Sequence, residues 1–331
     1  MVINSFLYLL LFSGISIGFC ALGFVIAYFF QSHEIAYEFF NAWVFDFNGI
    51  MVGGIGYGLM WYIIKDGKKL LAMLNNIFDV NQMKNLNIVY YAHKSTSIKL
   101  RLLFGIPITL IGGLVLWLSG YPLEGFSKYY LAACSISIYF VGSTILLFFI
   151  YVILIFRTLE ENQNNNIMSK PVSSLEYETL NNFLTITASI GILGIYIGFR
   201  GTLSANLDIF AESEIMRKLF VFPIFLFLPV TLVYSFYPRF ILKKFFDLEI
   251  IQQLRKLENI KISSLNDEIL HKDKLAIENI ASQIKEKLIA ERKLFPIINY
   301  KDSPSLLLVI LIILQFIIQY DKRIHEYFNI F

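Results

Sequence analysis

Long apolar runs separated by short charged segments dominate the chain. A helix covers the hydrocarbon layer of a bilayer with about 20 mostly apolar residues. Seven runs bounded by charge reach or approach that length, at 3–30, 43–64, 102–119, 129–156, 180–199, 219–238 and 304–320. The last is the shortest: Pro304 sets its start and Gln315 and Gln319 interrupt its end, so it either spans or lies along the surface. The pattern predicts an all-α, polytopic integral membrane protein with six or seven transmembrane helices. Its parts are a bundle over 1–238, a cytoplasmic helical hairpin over 239–302, and a terminal hydrophobic segment and tail over 303–331. The first run, Val2 to Phe30, carries no charge. It lacks the basic start of a secretory signal and exceeds the length of a signal's apolar region, which predicts a retained membrane helix.

Two polar segments show helical patterns of their own. Residues 65–101 open with Lys65, Asp66, Gly67, Lys68 and Lys69, then place Leu70, Leu71, Leu74, Ile77 and Phe78 at helical spacing. That predicts an amphipathic helix along the inner membrane surface or against the bundle. In the hairpin, a first helix is expected from Lys243 to Lys261, ended by Ser263, Ser264, Asn266 and Asp267. Ser264 and Asp267 have capping-box spacing for the second helix. That second helix carries Ile269, Ile277, Ile280, Ile284 and Leu288 as a stripe that must bury against its own partner helix or against another protein. Residues 157–179, with Asn162 to Asn166 and Ser169, Lys170 and Pro171, read as a loop.

Composition agrees with the spans. Of 331 residues, 56% are hydrophobic and 16% charged, against roughly 45–50% and about 25% in soluble domains. The 32 Phe and 19 Tyr suit lipid-facing and headgroup positions. Segments 65–101, 157–179 and 239–302 hold 22 of the 28 Lys and Arg residues, so the positive-inside rule places them and the N-terminus in the cytoplasm. The expected location is the cell membrane, with the C-terminus outside if 304–320 spans. The net charge of +3 gives no reason to expect nucleic acid as a partner. Cys20 and Cys134 lie inside apolar runs and read as reduced packing residues.

Several signatures of catalysis are missing from the sequence: there is no H-E-x-x-H, phosphate loop or C-x-x-C. The four histidines, His33, His93, His271 and His325, fall outside the spans. No enzyme activity, cofactor or metal site is therefore expected. Polar groups at span depth are few. Asp46, near Asn41 and Asn48, either reaches the interface or serves an ion or polar-solute path. Asp46, Asn48, Thr185, Thr187, Ser189 and Arg200 are the candidates for such a path, with Arg200 either snorkelling or lining a vestibule. Glycine rows at Gly14 and Gly18, at Gly49, Gly53, Gly54 and Gly58, and at Gly191, Gly194 and Gly198 predict close helix packing or flexible segments. Pro223 and Pro229 predict kinks or hinges in the sixth span, which is expected to end at Pro238.

From Pro229 onward the chain runs through Tyr237, Pro238 and Arg239, a charged helical hairpin, then Leu294, Phe295 and Pro296, and a short hydrophobic segment. This layout resembles a group of uncharacterised prokaryotic polytopic membrane proteins with a cytoplasmic hairpin before the last hydrophobic segment. It covers the last third of the chain. Members of that group carry Trp where this chain has Phe295. The resemblance implies architecture and no activity.

Three functions compete at this stage. An ion channel or pore, as a homo-oligomer, would use the path residues and assemble or receive a signal through the hairpin. A membrane-anchored sensor or scaffold would recruit a soluble cytoplasmic partner through 243–293. A secondary transporter comes third. A pore needs Asp46, Thr185, Thr187 and Ser189 on one wet surface, whereas an anchor predicts a dry core.

Overall fold

The computed structural model describes residues 14, 17–18, 20–45, 56–118, 125–162, 174–204, 214–266, 271–294 and 310, and among these the elements are all helices. They are α1 (Cys20–Phe30), α2 (His33–Phe45), α3 (Tyr57–Ile77), α4 (Val80–Asn85), α5 (Ile88–Ser95), α6 (Ile98–Leu118), α7 (Phe126–Glu161), α8 (Ser174–Ser204), α9 (Glu214–Asn266) and α10 (His271–Leu294).

Helix α7 is the centre, packed against α2, α3, α5, α6, α8 and α9. Its sequence explains why. Val141, Ile145, Phe148, Phe149, Val152, Ile155, Phe156 and Leu159 recur at three- and four-residue steps and are all buried, giving one continuous apolar stripe. Phe149 stacks on Tyr234 of α9 with ring centroids 3.9 Å apart, and Phe148 packs beside both Tyr234 and Phe183 of α8. Gly191 lets α8 into this junction. A Cβ there would stand 2.3 Å from Cζ of Phe149 and 3.3 Å from Cγ2 of Thr231.

Around this centre, α1 and α2 fold back on each other through Phe24, Tyr37 and Phe40. The segment 31–42 between the first two expected spans is largely helical, because Ser32 caps Ile35 and an apolar face follows. The segment 65–101 is not one surface helix. It comprises the end of α3, then α4, α5 and the start of α6, and its Leu70, Leu74, Ile77 and Phe78 are buried against the bundle. Asp79 caps α4 by accepting from the amides of Asn81 and Gln82. Phe78 meets Phe245 of α9 edge to face at 5.2 Å.

Two expected breaks are absent. Helix α3 continues through Lys65, and α9 runs 53 residues without interruption through Pro223, Pro229 and Pro238 to Asn266. Its length is about 80 Å at 1.5 Å per residue. Ser263 and Ser264 therefore lie inside a helix, where their propensity deficit of a few tenths of a kcal/mol each is too small to end it. Of the expected capping box, Ser264 lies within α9 and Asp267 lies outside the described residues. Between the hairpin helices, Leu288 of α10 is buried and Lys285 reaches Glu258 of α9 at 3.7 Å.

The Gly191 junction yields a first test. Gly191→Ala is expected to lower the thermal unfolding midpoint of the purified chain through overpacking, a cost of about 1–3 kcal/mol. Gly18→Ala, with nothing within 4 Å of the added methyl, is expected to be neutral or stabilising by up to about 1 kcal/mol. Equal midpoints for the two variants would mean that Phe149 and Thr231 yield freely.

Candidate functional site

Several polar side chains on the packed face of α9, among them Tyr234, Tyr237, Arg239 and Glu249, reach partners on α7 or α8, and together they form a seam. Helices α8 and α9 are antiparallel, so partners move backward along α8 as they advance along α9. Tyr234 pairs with Thr187, whose hydroxyl also donates to the carbonyl of Phe183 at 2.9 Å. The Nε of Arg239 donates to Oδ1 of Asn181 at 3.0 Å, with both residues buried. The Tyr177 hydroxyl donates to Oε2 of Glu249 at 3.1 Å, and Gln253 donates to the other carboxylate oxygen at 3.2 Å. Toward α7, Glu160 accepts from the Tyr237 hydroxyl at 2.8 Å and lies 3.6 Å from Lys244 Nζ. Lys243 and Asp247 close a same-helix pair at 3.3 Å.

The electrostatic centre of the seam is the buried Tyr177–Glu249 contact. Burial first, and the neighbouring Glu249 carboxylate second, hold the Tyr177 hydroxyl well above the usual tyrosine range. It stays a neutral donor. Phe246 packs against the same tyrosine in a T-shaped pair, with ring centroids 4.9 Å apart.

Thr185 and Thr187 are buried, and Ser189 is half-buried. Ser189 donates to the Thr185 carbonyl, so two of the three hydroxyls answer carbonyls of their own helix. Thr187 sits at the Phe148, Phe149 and Tyr234 cluster, a dry setting. Arg200, Gly194 and Gly198 belong to α8, and Pro223 and Pro229 to α9, with Pro229 exposed. Gly14 and Gly18 are exposed with open space around them, while Gly58 is buried. Asp46, Asn48, Gly49, Gly53 and Gly54 lie outside the described residues, as does nearly all of 304–320. Among the described residues no cluster of His, Cys, Asp and Glu could hold a metal ion. Cys20 is a free, buried thiol.

Sequence inspection did not single out Tyr177, Asn181, Glu160, Arg239 or Glu249. A signal existed for the last two. Arg239 and Glu249 occupy positions in the run Thr231, Tyr234, Ser235, Arg239, Leu242, Phe245, Phe246, Glu249, Ile250, which keeps the spacing of a buried helix face. A charge on such a stripe requires a partner. No protein-family model, curated protein or solved structure matches the chain.

Because the raised Tyr177 value belongs to an acid that is neutral when protonated, its stabilisation is complete below the unfolded value of about 10 and fades as pH rises beyond it. Unfolding free energy is thus expected to fall above about pH 10, with a shallower slope in Tyr177→Phe, measured by denaturant titration at stepped pH. At neutral pH the same variant should lose about 1–3 kcal/mol, since it strips a donor from buried Glu249. Identical alkaline slopes would remove Tyr177 from the seam's electrostatics.

Proposed function

We propose that the chain is a multi-pass protein of the cell membrane, a sensor or scaffold whose bundle passes its state through α9 to a cytoplasmic hairpin that engages a soluble partner. The observation carrying this reading is the continuity of α9. One rod includes the expected sixth span and the first helix of the hairpin, and the seam clamps it to α7 and α8 at the expected membrane boundary. Rotation or translation of the rod would move the hairpin as a unit.

Several features support the membrane setting. The stretch Phe140–Glu161 of α7 is long and apolar enough to cross a bilayer. On α6, Leu103, Leu110 and Ile111 are each at least 60% exposed, and Leu102, Phe104, Ile106 and Leu114 are exposed beside them. A surface this apolar fits lipid better than water. The distribution of Lys and Arg supports an N-terminus inside. On the hairpin, Leu288 fills the α9–α10 contact while Ile280 and Ile284 of the same stripe remain exposed. Ile280 and Ile284 are thus left for a partner, and 243–293 is the segment that would recruit it. The dry surroundings of Thr187 favour this reading over a pore.

The test is reconstitution. Purified chain in liposomes is expected to leave the vesicles tight to small ions and dyes. A spin label at exposed position 282, introduced as Ser282→Cys, should become more mobile when Arg239→Gln and Tyr177→Phe together loosen the seam. Ion flux that changes in Asp46→Asn would overturn the proposal in favour of a channel. An unchanged label in the loosened variant would disconnect the hairpin from the bundle.

A further inference from the structure

Arg101 is the residue whose chemistry the seam does not use. It stands in the first turn of α6 and is only 3% exposed. Its Nη2 donates to the Ser95 carbonyl at 2.5 Å, which fixes the guanidinium against the turn joining α5 to α6. Its Nε and Nη1 have no hydrogen-bond partner among the described residues. A guanidinium offers a planar fork of donors, and leaving a buried charge uncompensated is costly. Burial draws its pKa down to about 10, which still leaves it a cation at neutral pH.

Among the described residues no carboxylate pairs with Arg101. From Val80 to Leu123 the sequence contains no Asp or Glu, yet it holds Lys84, Lys94, Lys99 and Arg101. The nearest preceding carboxylate, Asp79, caps α4. At the start of α6 Ser97 accepts the amide of Leu100 on its hydroxyl, at 3.4 Å, and that of Arg101 on its carbonyl, at 3.2 Å, while the amides of Ile98 and Lys99 have no partner within the helix. On α7, Thr144 is fully buried with its hydroxyl also unpartnered. A Cβ on Gly105 would meet Phe140 and Ser143 of α7. Because α6 and α7 are antiparallel, stepping back one turn to Arg101 brings the level of Thr144 opposite. The unsatisfied cation and the helix N-terminus thus share the first turn of α6, and the unsatisfied hydroxyl lies near that level on α7. Together they suit an oxyanion, for which the guanidinium fork and the N-terminal amides are matched donors.

We propose that Arg101 and the first turn of α6 bind a phosphate-class oxyanion, brought by an anionic lipid headgroup or by a soluble phosphate. Exposed Ile98, Leu102 and Leu103 flank the turn and would receive acyl chains in the lipid case. Only that case depends on the membrane reading, so the soluble arm stands if the membrane reading fails.

Thermal unfolding of the full chain in detergent, stripped of lipid, tests it with three probes at matched ionic strength: phosphatidylglycerol, phosphatidylcholine and inorganic phosphate. The wild-type midpoint is expected to rise with phosphatidylglycerol and not with phosphatidylcholine. A parallel rise with inorganic phosphate assigns the soluble source, and its absence assigns the lipid. Arg101→Gln should weaken the response roughly ten- to a hundredfold, the range for a lost hydrogen bond to a charged group. Should that variant fail to fold, Arg101→Lys keeps the charge and loses the fork, and about a tenfold weakening is expected. A wild-type chain indifferent to phosphatidylglycerol and inorganic phosphate, or a folded variant that responds like wild type, overturns the proposal.

Discussion

The polar groups on the buried face of α9 constrain how three long helices meet. A helix face built mainly of Phe, Leu and Ile can slide on its neighbours with little change in buried area, since the hydrophobic effect has no direction. Tyr234, Arg239 and Glu249 remove that freedom. Each needs a specific partner at hydrogen-bond distance, and Thr187, Asn181 and Tyr177 supply them at successive levels of α8. Shifting α9 by one turn would strand all three at once. The apolar stripe therefore brings the helices together, and the polar seam sets the register between them.

The seam also accounts for the proline pattern of α9. Each proline inside a helix removes a backbone hydrogen bond and costs about 3 kcal/mol in isolation, yet α9 remains helical through three of them. Around Pro229 and Pro238, Thr231 donates to Phe227 and Ser235 to Thr231 along the same helix, while Tyr234, Tyr237 and Arg239 hold the strand of turns from outside. Tertiary packing overrides local propensity here. That override is also why breaks placed by local residue type, at Lys65, at Pro238 and at Ser263, fall within continuous helices.

Sequence patterning was accurate where burial alone decides the outcome. The all-α class, the helices over 102–119, 129–156 and 180–199, and the inward face of Leu70, Leu74, Ile77 and Phe78 all follow from spacing. The polar geometry was legible only in part. Thr187 drew notice as a hydroxyl at span depth, but its partner lies 47 residues away on another helix, and periodicity carries no information about cross-helix pairing. Arg101 was hidden differently. It borders an apolar run, where a cation is expected to snorkel outward, and only the packing of α5, α6 and α7 turns it inward.

These two features, the seam and Arg101, are joined by packed side chains. A Cβ on Gly67 of α3 would touch both Thr96, at the α5–α6 turn, and the Phe148 ring. Phe148 in turn packs beside Tyr234, the first residue of the seam. Contact alone transmits nothing unless the packing has two arrangements and some event favours one of them. Along this route the rings are fully buried and their hydroxyls paired, so they supply rigidity. The unsatisfied groups on it are Arg101 and Thr144. Filling their missing bonds changes the electrostatic balance under the α5–α6 turn while leaving the aromatic contacts intact. That places an adjustable interaction at the end of the route farthest from the hairpin, with a stiff connection between.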